Sequence, residues 1–271
     1  MKKAKKLHIG TVLMVMLLLL FMWWINNYTL SVNEWTIKSA FVNDEIKIVQ
    51  ISDLHDESFG KNNKTLIKRI TSQSPDIITV TGDMFIRDSL TGKENALILL
   101  EDLAQKYPVF YVNGEHDDDE GFFEALESKG VDVINYEEKI VKIKNTNLHI
   151  YGIDNVYFTP TFDLNNAFAQ DNENFSILLS HRADKFDNFK DFGIDLTLSG
   201  DTHGGIFRLP VIGALCDGER LFPDKKGSLV KGMYEKDGHY IHISGGLGNY
   251  PVPLRCYNRP EIAVIKLCPQ K

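Results

Sequence analysis

The segment Ile46-Lys47-Ile48-Val49-Gln50-Ile51-Ser52-Asp53-Leu54-His55 decides how this chain folds. Ile46, Ile48, Val49 and Ile51 favour an extended strand, and the run then releases an aspartate and a histidine. The same arrangement recurs downstream. Ile77 to Thr81 ends in Gly82-Asp83, and Pro108 to Val112 ends in Asn113-Gly114-Glu115-His116-Asp117. Phe175 to Leu179 ends in Ser180-His181, and Asp195 to Leu198 ends in Ser199-Gly200-Asp201-Thr202-His203. Between the first three runs, Asn62 to Gln73 (Leu66, Ile67, Ile70) and Glu94 to Lys106 have helical spacing. Strands alternating with helices predict α/β layering, in which ligands bind beyond the carboxyl ends of the strands. Turn chemistry accounts for Asp and Gly at such places, but histidine has no comparable turn preference. Further strands are expected at His239 to Ile243 and Glu261 to Leu267, after an extended linker or first strand from Val32 to Asn43. No internal repeat or second boundary interrupts residues 44–271, which read as one domain.

Pooling the strand ends gives Asp53, His55, Asp83, Glu115, His116, Asp117, His181, Asp201 and His203. Each histidine alone reads better as a core or turn residue; the ordered set points to metal. Carboxylates with imidazoles suit borderline to hard divalent ions. Cys216, Cys256 and Cys268 lack zinc-finger spacing and give no disulfide framework. The donors are too many for one tetrahedral ion with an open position, and suit two ions sharing a carboxylate.

These blocks, Asp53-Leu54-His55, Gly82-Asp83, Gly114-Glu115-His116-Asp117, His181 and Gly200-Asp201-Thr202-His203-Gly204-Gly205, resemble in order and context those of the calcineurin-like metallophosphoesterases. The tail Gly245-Gly246-Leu247-Gly248-Asn249, Leu254-Arg255 and Asn258-Arg259-Pro260-Glu261 is similar to the membrane-associated bacterial branch of that family. The resemblance implies a four-layer α/β/β/α sandwich with two mixed β-sheets, a phosphate-ester substrate and two divalent metals. It implies that Asp53, His55 and His203 hold the first metal, that Asp83 bridges, and that Glu115, His181 and Asp201 complete the second site. His116 would stand beside the leaving group as general acid or electrophilic contact, positioned by Asp117.

Two positions depart from the family blocks, and both fall on the second metal. Glu115 replaces an asparagine and Asp201 a histidine, adding two formal negative charges and hardening the ligand set toward oxygen. Ligand softness then favours manganese, magnesium or iron over zinc. A second site that has decayed, leaving a non-catalytic metal-binding scaffold or sensor in the envelope, is the competing reading. His116 beside intact first-site ligands speaks for the enzyme. Arg182, Arg208 and Arg255 read either as phosphate contacts or as surface ion pairs.

The net charge of -7, with no basic patch beyond the N-terminus, indicates no nucleic-acid-binding surface. Lys2, Lys3, Lys5 and Lys6 (residues 1–6, a cytoplasmic tail) precede an uncharged stretch from Leu7 to Ile25. At ~1.5 Å per residue that stretch crosses a hydrocarbon core of about 30 Å, with Trp23 and Trp24 at an interface. The lysines predict a cytoplasmic N-terminus and a catalytic domain outside, joined by residues 26–43. A cleaved signal peptide fits less well, because Asn26-Asn27-Tyr28 offers no small-x-small site. The location makes a lipid-linked or cell-envelope phosphate attractive as substrate.

Overall fold

The computed structural model describes residues 2–154, 158–205, 207–216, 221–223, 228–251 and 253–270, with side chains described from residue 9 onward. Helix α1 (Lys2–Tyr28) leads into β1 (Ser31–Ser39), after which β2 (Ile46–Ile51), α2 (Lys64–Thr71), β3 (Ile77–Thr81), α3 (Leu90–Ala104), β4 (Val109–Val112), α4 (Glu120–Ser128) and β5 (Asp132–Val133) follow. A hairpin of β6 (Glu137–Ile143) and β7 (Thr146–Ile153) precedes β8 (Phe175–Ser180), α5 (Phe186–Phe192) and β9 (Leu196–Ser199). The short ribbon β10 (Arg208–Leu209) and β11 (Gly213–Ala214) is followed by β12 (Gly232–Lys236), β13 (His239–Ile243) and β14 (Glu261–Pro269).

Two mixed sheets result, ordered β1-β14-β2-β3-β4-β5 and β12-β13-β9-β8-β7-β6. The period-2 alternation of each strand assigns its two faces. Ile46, Ile48, Ile77, Phe110 and Val112 of the first sheet pack against Leu148, Ile150, Ile177, Leu179, Leu196 and Leu198 of the second. On the far face of the first sheet, Val49, Ile51, Val80 and Tyr111 meet Leu66, Ile70, Leu99, Leu103, Phe122 and Leu126 from α2, α3 and α4. On the far face of the second, Tyr151, Ile153 and Leu178 meet Phe189 and Phe192 of α5. The layers are therefore α/β/β/α, and the central strands of each sheet are buried on both faces at roughly 1.5–3 kcal/mol per large apolar side chain.

One polar bolt crosses between the sheets just beneath their carboxyl ends. Buried Gln50 donates to Thr81 Oγ1 (3.0 Å) and to Ser199 O (2.9 Å), and its Oε1 accepts from His242 Nδ1 at 2.7 Å. The bolt fixes β2 and β3 against β9, the strands that carry most of the site.

Helix α1 continues past the expected Ile25 to Tyr28, and its last turn docks on the domain. Fully buried Asn27 donates to Trp23 O (2.7 Å) and Arg255 O (3.2 Å), and its Oδ1 accepts from Arg255 N at 2.8 Å. Trp23 Nε1 donates to Pro253 O at 2.7 Å, and Arg259 donates to the carbonyls of Thr29 and Leu30. Residues 26–43 are thus no free linker: β1 pairs in parallel with β14 along its whole length, Ser31 opposite Glu261 to Ser39 opposite Pro269.

Candidate metal centre

The carboxyl ends of β2, β3, β4, β8 and β9 meet at one edge of the two-sheet stack. The loops beyond β2 and β3 extend the ladder, with Asp53 N donating to Gly82 O (2.9 Å) and His55 N to Asp83 O (3.1 Å). Asp53, His55, Asp83, Asp201 and His203 all have left-handed backbone, with φ of 52°, 42°, 55°, 72° and 48°. Such conformations cost non-glycine residues on the order of 1 kcal/mol each, and persist where the surroundings over-determine them. Glycines admit the close approach. A Cβ on Gly114 would lie 2.1 Å from Asp83 Oδ1, and one on Gly200 2.7 Å from Asp53 Oδ2.

The side chains of Asp53, His55, Asp83, His181 and His203 converge, all of them buried. His55 Nε2 and His203 Nε2 are 3.0 Å apart, and His203 Nε2 is 3.8 Å from Asp53 Oδ1. Asp83 Oδ2 stands 3.5 Å from His55 Nε2 and equally 3.5 Å from His181 Nε2. Three overlapping sets keep their ligand atoms within 4.8 Å: Asp53, His55, His203; His55, Asp83, His116; and Asp53, Asp83, His181.

The chemistry of this donor set fits divalent cations. His181 Nδ1 donates to Thr81 O at 2.6 Å, which turns its Nε2 toward the carboxylates. Asp53 Oδ2 and His181 Nε2 are buried without a hydrogen-bond partner. Native interiors rarely leave such atoms side by side uncompensated, and a cation between them would offset that cost.

Electrostatics agree. Burial pushes the Asp53 carboxyl up to about 7 against the pull of His181. Burial also pushes Asp83 up, but His181 and His55 outweigh it and hold the carboxyl well below its ordinary range. Burial drives His55 down to about 3 and His203 well below its ordinary value. His181 is raised, because Asp83, Asp53 and Asp201 overcome its burial.

Glu115 and Asp201 stand outside those three sets. Both line the cavity of about 200 Å³ above the cluster, with His55, Asp83, His116 and His203. Asp201 Oδ1 lies 3.9 Å from His181 Nε2. His116 is half-buried; its N–H donates to Asp83 Oδ1 at 2.9 Å, and its ring Nδ1 has no partner.

The carboxylate of Asp117, expected from the resemblance to position His116, accepts from Met84 N (2.7 Å) and Gly114 N (2.6 Å). Two adjacent loop amides satisfy the buried carboxylate, so Asp117 fixes the backbone on which Asp83 and His116 sit. Arg255 differs from expectation. It is buried, not at the surface, and donates to Gly248 O, Gly245 O and Asn258 O at 2.6 to 3.2 Å. Arg182 pairs with Asp184, and Arg208 donates to Gly204 O at 2.8 Å.

Tyr250 escapes sequence reasoning. Its ring stacks on His55 with centroids 4.9 Å apart at 19°, and meets His116 edge-on at 5.1 Å. Nothing about a lone tyrosine after a glycine-rich turn announces such a contact.

With this geometry in hand, comparison with known proteins is direct. Residues 46–205 match the calcineurin-like phosphoesterase family, and the chain belongs to it. Similar proteins include the Bacillus subtilis metallophosphoesterase YkuE, 29% identical over 252 residues that span 89% of this chain and 86% of the relative. A second Bacillus subtilis metallophosphoesterase, YkoQ, is 28% identical over 80% of this chain and 82% of its own length. The Escherichia coli phosphodiesterase YaeI is 26% identical over 84% of this chain and 85% of its own. The chain is a metallophosphoesterase, a hydrolase with candidate metal ligands at its sheet edge.

Proposed function

We propose that the chain hydrolyses phosphomonoester or phosphodiester bonds at a two-metal centre. One observation carries this reading: Asp83 Oδ2 is equidistant from His55 and His181, the imidazoles assigned to the first and second metals. When bound, a pair of divalent ions supplies Lewis acidity toward phosphoryl oxygens and acidifies water. Asp53, His55 and His203 hold the first position, Asp83 is shared, and His181, Asp201 and Glu115 hold the second. The half-buried His116, beside the cavity, gives a proton to the departing oxygen or contacts the phosphate. Tyr250 walls the cavity over His55 and limits water there. Glu115 and Asp201 give the second position an oxygen-rich, more anionic set, which favours manganese, magnesium or iron over zinc.

We further propose that α1 anchors the domain outside the cytoplasm, with a lipid-linked or envelope phosphate as substrate. Ile9–Tyr28 is long and apolar enough to cross a membrane. Asn249 Nδ2 donates to Asn27 O at 3.0 Å, so the end of α1 lies one residue along the chain from Tyr250, the ring stacked on His55. A substrate held at a membrane surface would therefore be within reach of the site.

The test is hydrolysis of bis-p-nitrophenyl phosphate and p-nitrophenyl phosphate by the full chain in detergent, beside Asp83→Asn, with metal content measured on both. Turnover that falls at least ~100-fold in the variant, with metal stoichiometry dropping from near two, supports the reading. Equal background in both sinks it. A clear preference for zinc over manganese, magnesium and iron would count against the ligand assignment of Glu115 and Asp201.

A further inference from the structure

A cavity of about 580 Å³, larger than the one over the metal ligands, lies on another side of the end of α1. Its walls include Tyr28 at the end of the apolar span, Leu30 just beyond it, Phe59, and Thr65, Lys68 and Arg69 of α2. Such a volume suits a headgroup, its glycerol and the first carbons of two chains; ligand cavities run roughly 300–1,000 Å³. Three features of the cavity bear on what occupies it.

The first is level. Tyr28 closes the membrane-length apolar segment Ile9–Tyr28, and the cavity begins at that residue. If α1 spans a bilayer, the cavity opens at the depth of phospholipid phosphates. The second is charge. Lys61, Lys64, Lys68 and Arg69 all stand exposed on or beside α2, and among the described residues none of them pairs with a carboxylate. The carboxylate in the cavity wall, Glu57, already accepts from Asn249 Nδ2 at 2.7 Å. A cationic helix in a chain of net charge -7 is a local inversion of sign. The third is shape. Leu66, Ile67 and Ile70 are buried in the core, so α2 is fixed with its cations outward. That is the pattern by which a helix lies along an anionic lipid surface.

We infer that this cavity binds one glycerophospholipid with an anionic headgroup, its phosphate held by Lys68 and Arg69 and its glycerol and upper chains against Leu30, Phe59 and Tyr28. The site is separate from the metal centre. It would seat the domain at a fixed height and rotation on the membrane, so that the metal cavity keeps a constant relation to the surface. The inference rests on the anchoring proposed above.

The experiment uses the full chain in phosphatidylcholine nanodiscs containing a minor share of phosphatidylglycerol, with native mass spectrometry reading the lipid that stays bound on release. The wild type should retain one phosphatidylglycerol in preference to phosphatidylcholine. Lys68→Gln with Arg69→Gln should weaken that preference on the order of 20-fold, at roughly fivefold per cation near an anionic surface. Lys61→Gln with Lys64→Gln removes equal charge outside the cavity and should leave the retained lipid in place. Loss of preference in both double variants would mean diffuse attraction and would overturn the cavity assignment, as would no preference in the wild type. Displacement of the lipid by equimolar inorganic phosphate would overturn it too, because a free-anion site needs no apolar wall. Alkaline carbonate extraction of membranes separates the two readings. Release of the chain overturns the anchoring itself, whereas retention without lipid preference overturns this ligand alone.

Discussion

Replacing Arg255 by methionine tests whether the edge that carries Asp53 is held by one buried cation. Arg255 is 2% exposed and its guanidinium donates to three backbone carbonyls, those of Gly245, Gly248 and Asn258. Gly248 N in turn donates to Asp53 O at 2.6 Å, so the loop that Arg255 gathers is the one backing the proposed ligand Asp53. Burial lowers the guanidinium to about 10, with Asp53 and Glu261 opposing the shift. The cost of burying the charge is thus already borne in the native fold. Methionine keeps the volume and leaves three buried carbonyls short of a donor and Glu261 short of a neighbouring cation. At about 1–1.5 kcal/mol per carbonyl left short, the loss is about 3–5 kcal/mol. With a urea slope near ~2.5 kcal/mol/M the unfolding midpoint should fall by about 1.5 M, and Arg255→Lys should recover less than half, since an ammonium cannot span all three acceptors. A midpoint shift under about 0.4 M for methionine would refute the reasoning and leave Arg255 a marginal contributor.

Asn27→Ala removes two hydrogen bonds that join α1 to Arg255 and one within α1, and should cost about 2 kcal/mol by urea denaturation of the detergent-solubilised chain. Equal midpoints for variant and wild type would detach α1 from the domain. Gly114→Ala drives a Cβ to 2.1 Å from Asp83 Oδ1, so p-nitrophenyl ester turnover should fall at least ~10-fold while far-ultraviolet circular dichroism is kept. Unchanged turnover would release Asp83 from its proposed role. His242 is fully buried, and burial lowers its imidazole to about 4 from an ordinary 6.5. The folded form then binds fewer protons than the unfolded chain between those values, so this group's contribution falls as pH drops from 6.5 toward 4. The loss is about 3 kcal/mol, and His242→Gln in chelator should flatten the stability profile by that much. A profile parallel to wild type would contradict the assignment.

The strand ends were legible because their signal is local: β-branched runs followed by histidine. Ile46 to Ile51, Ile77 to Thr81 and His239 to Ile243 form strands over the residues the sequence predicts. The hairpin β6–β7 was not expected, since its two-residue turn is Lys144-Asn145, with Lys144 at φ 55° in place of the usual Asn-Gly. Helix α5 was missed because seven residues with Phe186, Phe189 and Phe192 are too short to show a period. Non-local facts left no trace. Nothing near Arg255 says that its partners are carbonyls of the Gly245–Gly248 turn, and nothing near Asp117 says that Met84 N will be there to occupy it. The acidic run after His116 also divides its labour in space: Asp117 pins loops, while Asp119 caps α4 by accepting from Phe122 N at 2.9 Å. The departures at Glu115 and Asp201 are visible in sequence, but their standing at the rim of the ligand sets depends on how distant loops pack.

The left-handed backbone at five of the proposed ligands leads to a prediction about folding itself. Asp53, His55, Asp83, Asp201 and His203 carry strain on the order of 1 kcal/mol each, in loops whose buried nitrogens and oxygens lack hydrogen-bond partners. Neither cost is recovered by packing, because the residues face a polar cluster and not the apolar layers. Cations that bind the folded arrangement and not the unfolded chain would offset both. At a free metal concentration 1,000-fold above Kd, each occupied position adds about 4 kcal/mol. For a domain of this size, where 1 kcal/mol moves the melting temperature by about 2–4 °C, stripping one position should lower Tm by about 8–16 °C. Differential scanning calorimetry of the chain after chelation and after manganese is restored reads this directly. Asp83→Asn should melt close to the chelated wild type and gain little from manganese, since it removes the carboxylate shared between His55 and His181. Identical melting with and without chelator would mean that the strained loops are held by the protein alone, and the shared-carboxylate geometry would lose its energetic rationale.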